Sequence, residues 1–131
     1  MRYFPIIILI LFQTATAQTS DGTEVIQAVL DADQIENYLH LDLPERTPLY
    51  LLKNKFVDET VDLSVKGQKV LLIEEESDSV KNYIQFLDLD IGEDKAEFEL
   101  YYKMENMLIK GRLKRLDGQW QVDAIEDIIE F

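Results

Sequence analysis

Along this chain the apolar positions change their period once. From Val25 to Leu39 they fall on a helical stripe: Val25, Ile26, Val29, Leu30, Ile35, Tyr38 and Leu39, with Gln27, Asp31, Gln34 and Glu36 opposite. The pattern predicts an amphipathic helix over 24–39, started by Asp21 and Glu24 at capping-box spacing. Asp31-Ala32-Asp33 is the point where it can divide into two, because Asp favours caps over helix interiors. Pro44 and Pro48 then mark 40–48 as loop. From Leu49 the period is two. Leu49–Leu52 and Val70–Ile73 read as short strands, 56–66 fits no single period, and Lys66-Gly67-Gln68 reads as a tight turn.

The second half alternates most clearly. Ala96, Phe98, Leu100 and Tyr102 interleave with Lys95, Glu97, Glu99 and Tyr101, as in a strand with one buried face. Asp117-Gly118 is a two-residue hairpin turn, Glu105-Asn106 a second, and Gly92-Glu93-Asp94-Lys95 a third. Together they predict a four-stranded antiparallel meander with Leu89, Phe98, Leu113 and Val122 in one inner row. The neighbouring inner row is Leu87, Leu100, Gly111 and Ala124. On the outer face Asp88, Glu99, Arg112 and Asp123 line up, with Glu97 opposite Lys114. The expected fold is α+β, with an N-terminal amphipathic helix packed on a curved antiparallel sheet.

The start of the chain has a different pattern. Arg2 precedes an apolar run from Phe4 to Phe12, and Ala15-Thr16-Ala17 places small residues where a signal peptidase reads. The run is roughly half of what a membrane-spanning helix needs. Residues 1–17 are therefore expected to be a cleavable signal peptide, with cleavage near Ala17-Gln18. Residues 18–131 form one exported domain, periplasmic or extracellular, with no membrane insertion of the mature chain.

Charge changes the picture of partners. The chain has net charge −13, and the signal removes one cation and no acid. So acidic a surface repels phosphate backbones, which excludes nucleic acid as a natural ligand. There is no cysteine, hence no disulfide, thiol nucleophile or thiolate metal site.

Little in the sequence points to chemistry. His40 is the single histidine, at the predicted helix end, where the helix dipole alone favours it. Catalysis there would require an orienting carboxylate, and Asp42 is two residues away. Asp88, Asp90, Glu97 and Glu99 gather on one outer face, but Arg112 and Lys114 are placed to neutralise them, and no calcium-loop spacing is present. No catalytic residue, metal site or cofactor is assigned. The small residues Gly111 and Ala124 admit two readings. Either the helix packs closely there, or a hollow between helix and sheet, lined by Tyr38, His40, Leu100, Tyr102, Gly111 and Ala124, holds a small apolar ligand.

The order of helix, Pro-containing loop, short strands and meander resembles the nuclear-transport-factor-2-like or cystatin-like superfamily, including small exported bacterial members. So does the run from Leu113 through Gly118 and Trp120 to Val122, a strand–turn–strand of the form L-x-x-x-x-G-x-W-x-V. The resemblance covers 24–39 and 82–131 and implies fold only. The functional expectation is a non-catalytic exported binding or interaction module, as monomer or homodimer, meeting a protein partner or a small apolar ligand. The alternatives are an isomerase- or hydrolase-like enzyme using the hollow, or a structural accessory subunit of an envelope complex.

Overall fold

A computed structural model describes residues 22–131. The expected signal peptide and the Asp21 cap lie outside the described residues. The architecture is α+β: two short helices and a mostly antiparallel sheet ending in a meander.

The stripe from Val25 to Leu39 forms two helices, not a continuous one: α1 spans 22–31 and α2 spans Asp33–Leu39. Ala32 between them is extended at φ −70°, ψ 132°. The break leaves the stripe intact, since Val25, Ile26, Val29, Leu30, Ile35 and Leu39 are all buried in one cluster with the sheet residues. α2 ends at His40, whose left-handed φ of 55° lets its N–H donate to the Glu36 carbonyl at 3.1 Å. The Leu39 carbonyl, left over by the helix end, accepts from the Tyr102 hydroxyl at 3.0 Å and from Arg46 Nη1 at 3.3 Å.

After a 3-10 turn at Pro44–Arg46 come eight strands. They are β1 (Tyr50–Leu52), β2 (Ser64–Val65), β3 (Gln68–Lys69), β4 (Leu71–Ile73), β5 (Tyr83–Ile91), β6 (Lys95–Tyr102), β7 (Met107–Leu116) and β8 (Gln119–Glu130). The main sheet has the order β4-β1-β5-β6-β7-β8, with β1 parallel to both neighbours and the rest antiparallel. β2 and β3 form a separate hairpin closed by Lys66 and Gly67, both at positive φ, as a two-residue turn requires.

The meander β5-β6-β7-β8 is present, but its register differs from the expected one. Between β6 and β7 the loop is four residues long, 103–106, not the two residues Glu105-Asn106, and the closing pair is Tyr102 with Met107. Every pairing is thereby moved by two residues. Phe98 faces Gly111, Leu100 faces Ile109, Glu99 faces Lys110 and Glu97 faces Arg112. A slip of two keeps each side chain on its own face, and it still sets both carboxylates of β6 opposite cations of β7. The longer loop lets Tyr102 and Met107 close the hairpin as a buried pair.

Bulges account for the remaining differences. In β5, Leu89 faces Phe98 as expected, but Leu87 is an extra residue and Phe86 faces Leu100. Leu87 is 40% exposed, while Phe86 is fully buried. In β8, Leu113 faces Val122 as expected, then Asp123 and Glu126 are each extra residues. Gly111 consequently faces Ile125, and Ala124 stands opposite Arg112. The inner row Leu87–Leu100–Gly111–Ala124 does not form. Bulges bend a strand and sharpen its twist, and β8 is the edge of the sheet.

Candidate functional site

One concavity among the described residues is an open groove of about 430 Å³. It runs between the outer side of α1, the loop before β2 and the tip of the β7–β8 hairpin. Glu24, Gln27, Ala28 and Asp31 come from α1, Asp62 from the loop, and Gly118, Gln119 and Trp120 from the hairpin.

Local chemistry explains why these elements meet. Asp117 and Gly118 hold φ of 52° and 77°, so β8 returns at once and sets Trp120 opposite Arg115. The Arg115 guanidinium lies 5.5 Å from the centre of the Trp120 ring, a cation–π contact that fixes the ring from one side. Gln27 ties α1 to the start of β2: its Nε2 donates to the Ser64 carbonyl at 2.8 Å and its Oε1 accepts from the Ser64 N–H at 3.1 Å. The same Nε2 donates to Asp31 Oδ1 at 2.9 Å, which orients that carboxylate.

Two features of the groove bear on binding. Glu24, Asp31 and Asp62 are exposed, and among the described residues none is ion-paired with a cation. Trp120 is only 7% exposed, and its Nε1–H is buried without an acceptor. An indole donor so placed costs about 1–3 kcal/mol relative to a bonded one. It is the one buried side-chain nitrogen or oxygen among the described residues that lacks a partner.

The residues expected to line a hollow are dispersed. Tyr102 and Leu100 are buried in the core, and Tyr102 is committed to the Leu39 carbonyl. Burial pushes the Tyr102 phenol up from its ordinary pKa, while Arg46 beside it works the other way. Tyr38 packs half-buried against the core, and His40 is exposed at the α2 terminus. Gly111 lies beneath the ring of Phe98, and Ala124 is half-buried on the edge strand. None of the six borders the groove. Asp88 with Glu99 and Asp90 with Glu97 are cross-strand neighbours, and the described residues contain no cluster of acidic and histidine side chains that could hold a metal. No helix among the described residues is long and apolar enough to cross a membrane.

Sequence reasoning missed the groove. Asp62 falls in the 56–66 segment whose pattern has no clear period, and nothing in the order of residues brings it next to α1. Compared with known proteins, the chain matches no family model, no curated protein and no solved structure.

Proposed function

We propose that this chain is an exported, non-catalytic interaction module that meets another protein through the α1–hairpin groove. The observation that carries this reading is the groove itself, where unpaired carboxylates stand beside a buried aromatic whose N–H lacks an acceptor. The exposed carboxylates on its wall give a partner protein charged groups to meet. The tripartite start of the sequence supports action outside the cytoplasm. Membership of the nuclear-transport-factor-2-like or cystatin-like superfamily, with the amphipathic stripe seated on a curved sheet, belongs to the same proposal. Its support is the meander and the Trp120 hairpin.

The test is a photoreactive residue in place of Gln119, on the groove, with a second at Glu97 on the outer face of the sheet. In producing cells the Gln119 position should yield a discrete protein adduct and the Glu97 position should not. Equal labelling from both, or none from Gln119, rejects the groove as the contact. Sequencing of the released protein should find Gln18 as its first residue.

A further inference from the structure

We propose that a second copy of this chain docks on the outer face of β7 and β8, the two copies being related by a two-fold axis that runs along these strands. The patch is separate from the groove and does not depend on it. Among the described residues it forms a concavity of about 230 Å³ walled by Glu99, Leu108, Lys110, Asp127 and Ile129.

Strand register sets up the patch. Leu108 stands opposite Ile129, and in the next row Lys110 stands opposite Asp127, with Glu99 on its other side. Ile129 is 46% exposed. Phe131, two residues on, is 72% exposed, although its N–H donates to the Asn106 carbonyl at 3.0 Å. Large apolar side chains are thus held in solvent on hydrogen-bonded backbone. Lys110 is exposed between two carboxylates, yet among the described residues it forms an ion pair with neither.

The charges name the occupant. With a net charge of −13, two copies repel one another over most of their surface. In this patch a cation and a carboxylate share one row and an apolar pair fills the next, so the complement of the patch is the patch itself. A two-fold axis between β7 and β8 keeps each row level and exchanges the two columns. Leu108 then meets Ile129 of the second copy and Lys110 meets Asp127 of the second copy, each contact being made twice. Face-to-face sheets pack in this way, with their strands within about 30° of one another. A wholly acidic or wholly basic partner would leave one column facing like charge, and an anionic lipid surface is repelled by the chain as a whole. Glu97 lies on β6, two strands in from the edge, and stays outside the contact.

The test exchanges charges and follows mass by sedimentation equilibrium across a concentration series. Residues 18–131 should show a reversible monomer–dimer equilibrium. Lys110→Glu and Asp127→Lys, both at exposed positions, should each weaken dimerisation about tenfold or more, because like charges then face each other twice. Mixed in equal amounts, the two variants should recover the dimer, since both contacts of the mixed pair again join opposite charges. That recovery also shows that both variants fold. Salt should shrink the effect of either charge variant, whereas Ile129→Ser should weaken the dimer at every salt concentration. A wild-type chain that stays monomeric up to about 1 mM overturns the proposal. So does a dimer that neither charge variant weakens, and so do variants that fail to recover on mixing. The Gln119 adduct reports on the groove alone, so the two readings fail separately.

Discussion

The ring of Phe98 lies across Gly111: a Cβ on Gly111 would stand 2.7 and 2.8 Å from the ring carbons Cε1 and Cζ, and 2.9 Å from the Ala124 carbonyl oxygen. Those separations are too short for any side chain, so β7 carries glycine where the ring of its β6 partner must lie flat on the backbone. The strands are cross-strand neighbours at this point, and Phe98 is nearly fully buried. The absent side chain makes room for an aromatic, and the aromatic closes the core.

Gly111→Ala should therefore destabilise by about 1–3 kcal/mol through overpacking, although alanine suits a strand no worse than glycine does. Gly111→Leu should cost more. The diagnostic measurement is a double-mutant cycle with Phe98→Leu in denaturant. Shrinking the ring should recover part of the alanine penalty, a coupling of about 0.5–3 kcal/mol. Strict additivity would mean that the backbone contact with Ala124, not the ring, sets the cost.

The faces of β7 predict a second contrast. Leu113 is 1% exposed and Arg112 points outward, its Nη2 3.9 Å from Asp123 Oδ2. Lys114 lies closer to the same carboxylate, at 3.3 Å, so Asp123 keeps a cation when the arginine is gone. Leu113→Ala should cost about 2–5 kcal/mol and Arg112→Ala at most about 1 kcal/mol. Added salt should shrink the arginine effect and leave the leucine effect unchanged. A larger loss for the arginine variant in the same denaturant series would reverse the assignment.

What the residue pattern could and could not reveal divides along a physical line. Face is local: a strand of period two sorts Leu113 inward and Arg112 outward whatever its partner. Register is not, because shifts of two residues preserve every face and, here, the opposition of carboxylate to cation as well. Only the loop at 103–106 distinguishes them, and its signal was Asn106, which takes φ 48° to end a longer turn. The bulges did leave a trace. In β5 the buried residues Ile84 and Phe86 are even-numbered, whereas the inward Leu89 and Ile91 are odd-numbered, so an extra residue must lie between. In β8 the parity of Trp120 and Val122 changes at Ile125 and again at Ile128. The groove was illegible for another reason. It joins Glu24, Asp62 and Gln119 from segments far apart in the chain, and no periodicity encodes such a meeting.

Tyr102 yields a pH prediction. Its hydroxyl donates to the Leu39 carbonyl at 3.0 Å in the core, and burial, opposed by Arg46, raises its pKa above the ordinary value of 10.0. A phenol that holds its proton more tightly when folded contributes stability that is complete below the unfolded pKa. That contribution declines as pH rises from there through the folded pKa. Unfolding free energy should thus fall above about pH 10. Tyr102→Phe should cost about 1 kcal/mol at neutral pH, for the lost hydrogen bond, and flatten that alkaline decline. An equally steep decline in the phenylalanine variant would assign the effect to other groups.

The bulge in β5 supplies the sharpest comparison, because it separates two adjacent large apolar residues that ordinary alternation would rank the other way. With the odd-numbered residues of the strand facing inward throughout, Leu87 would be buried against Leu100 and Phe86 would point to solvent. Instead Phe86 pairs with Leu100 at full burial, and Leu87 is the extra residue, 40% exposed. Area decides between the two arrangements, since an aromatic ring removes more apolar surface from water than a leucine does. The Phe86 backbone is also engaged, its carbonyl accepting from Asn54 Nδ2 at 2.8 Å, which ties the segment after β1 to the bulged strand. Phe86→Ala should cost about 3–5 kcal/mol by emptying a packed site. Leu87→Ser should stay within about 0.5 kcal/mol, as a change on the exposed side of a bulge. Equilibrium urea unfolding of both variants measures the difference directly, with the slope checked for two-state behaviour. Comparable losses at the two positions would place Leu87 in the core and remove the bulge.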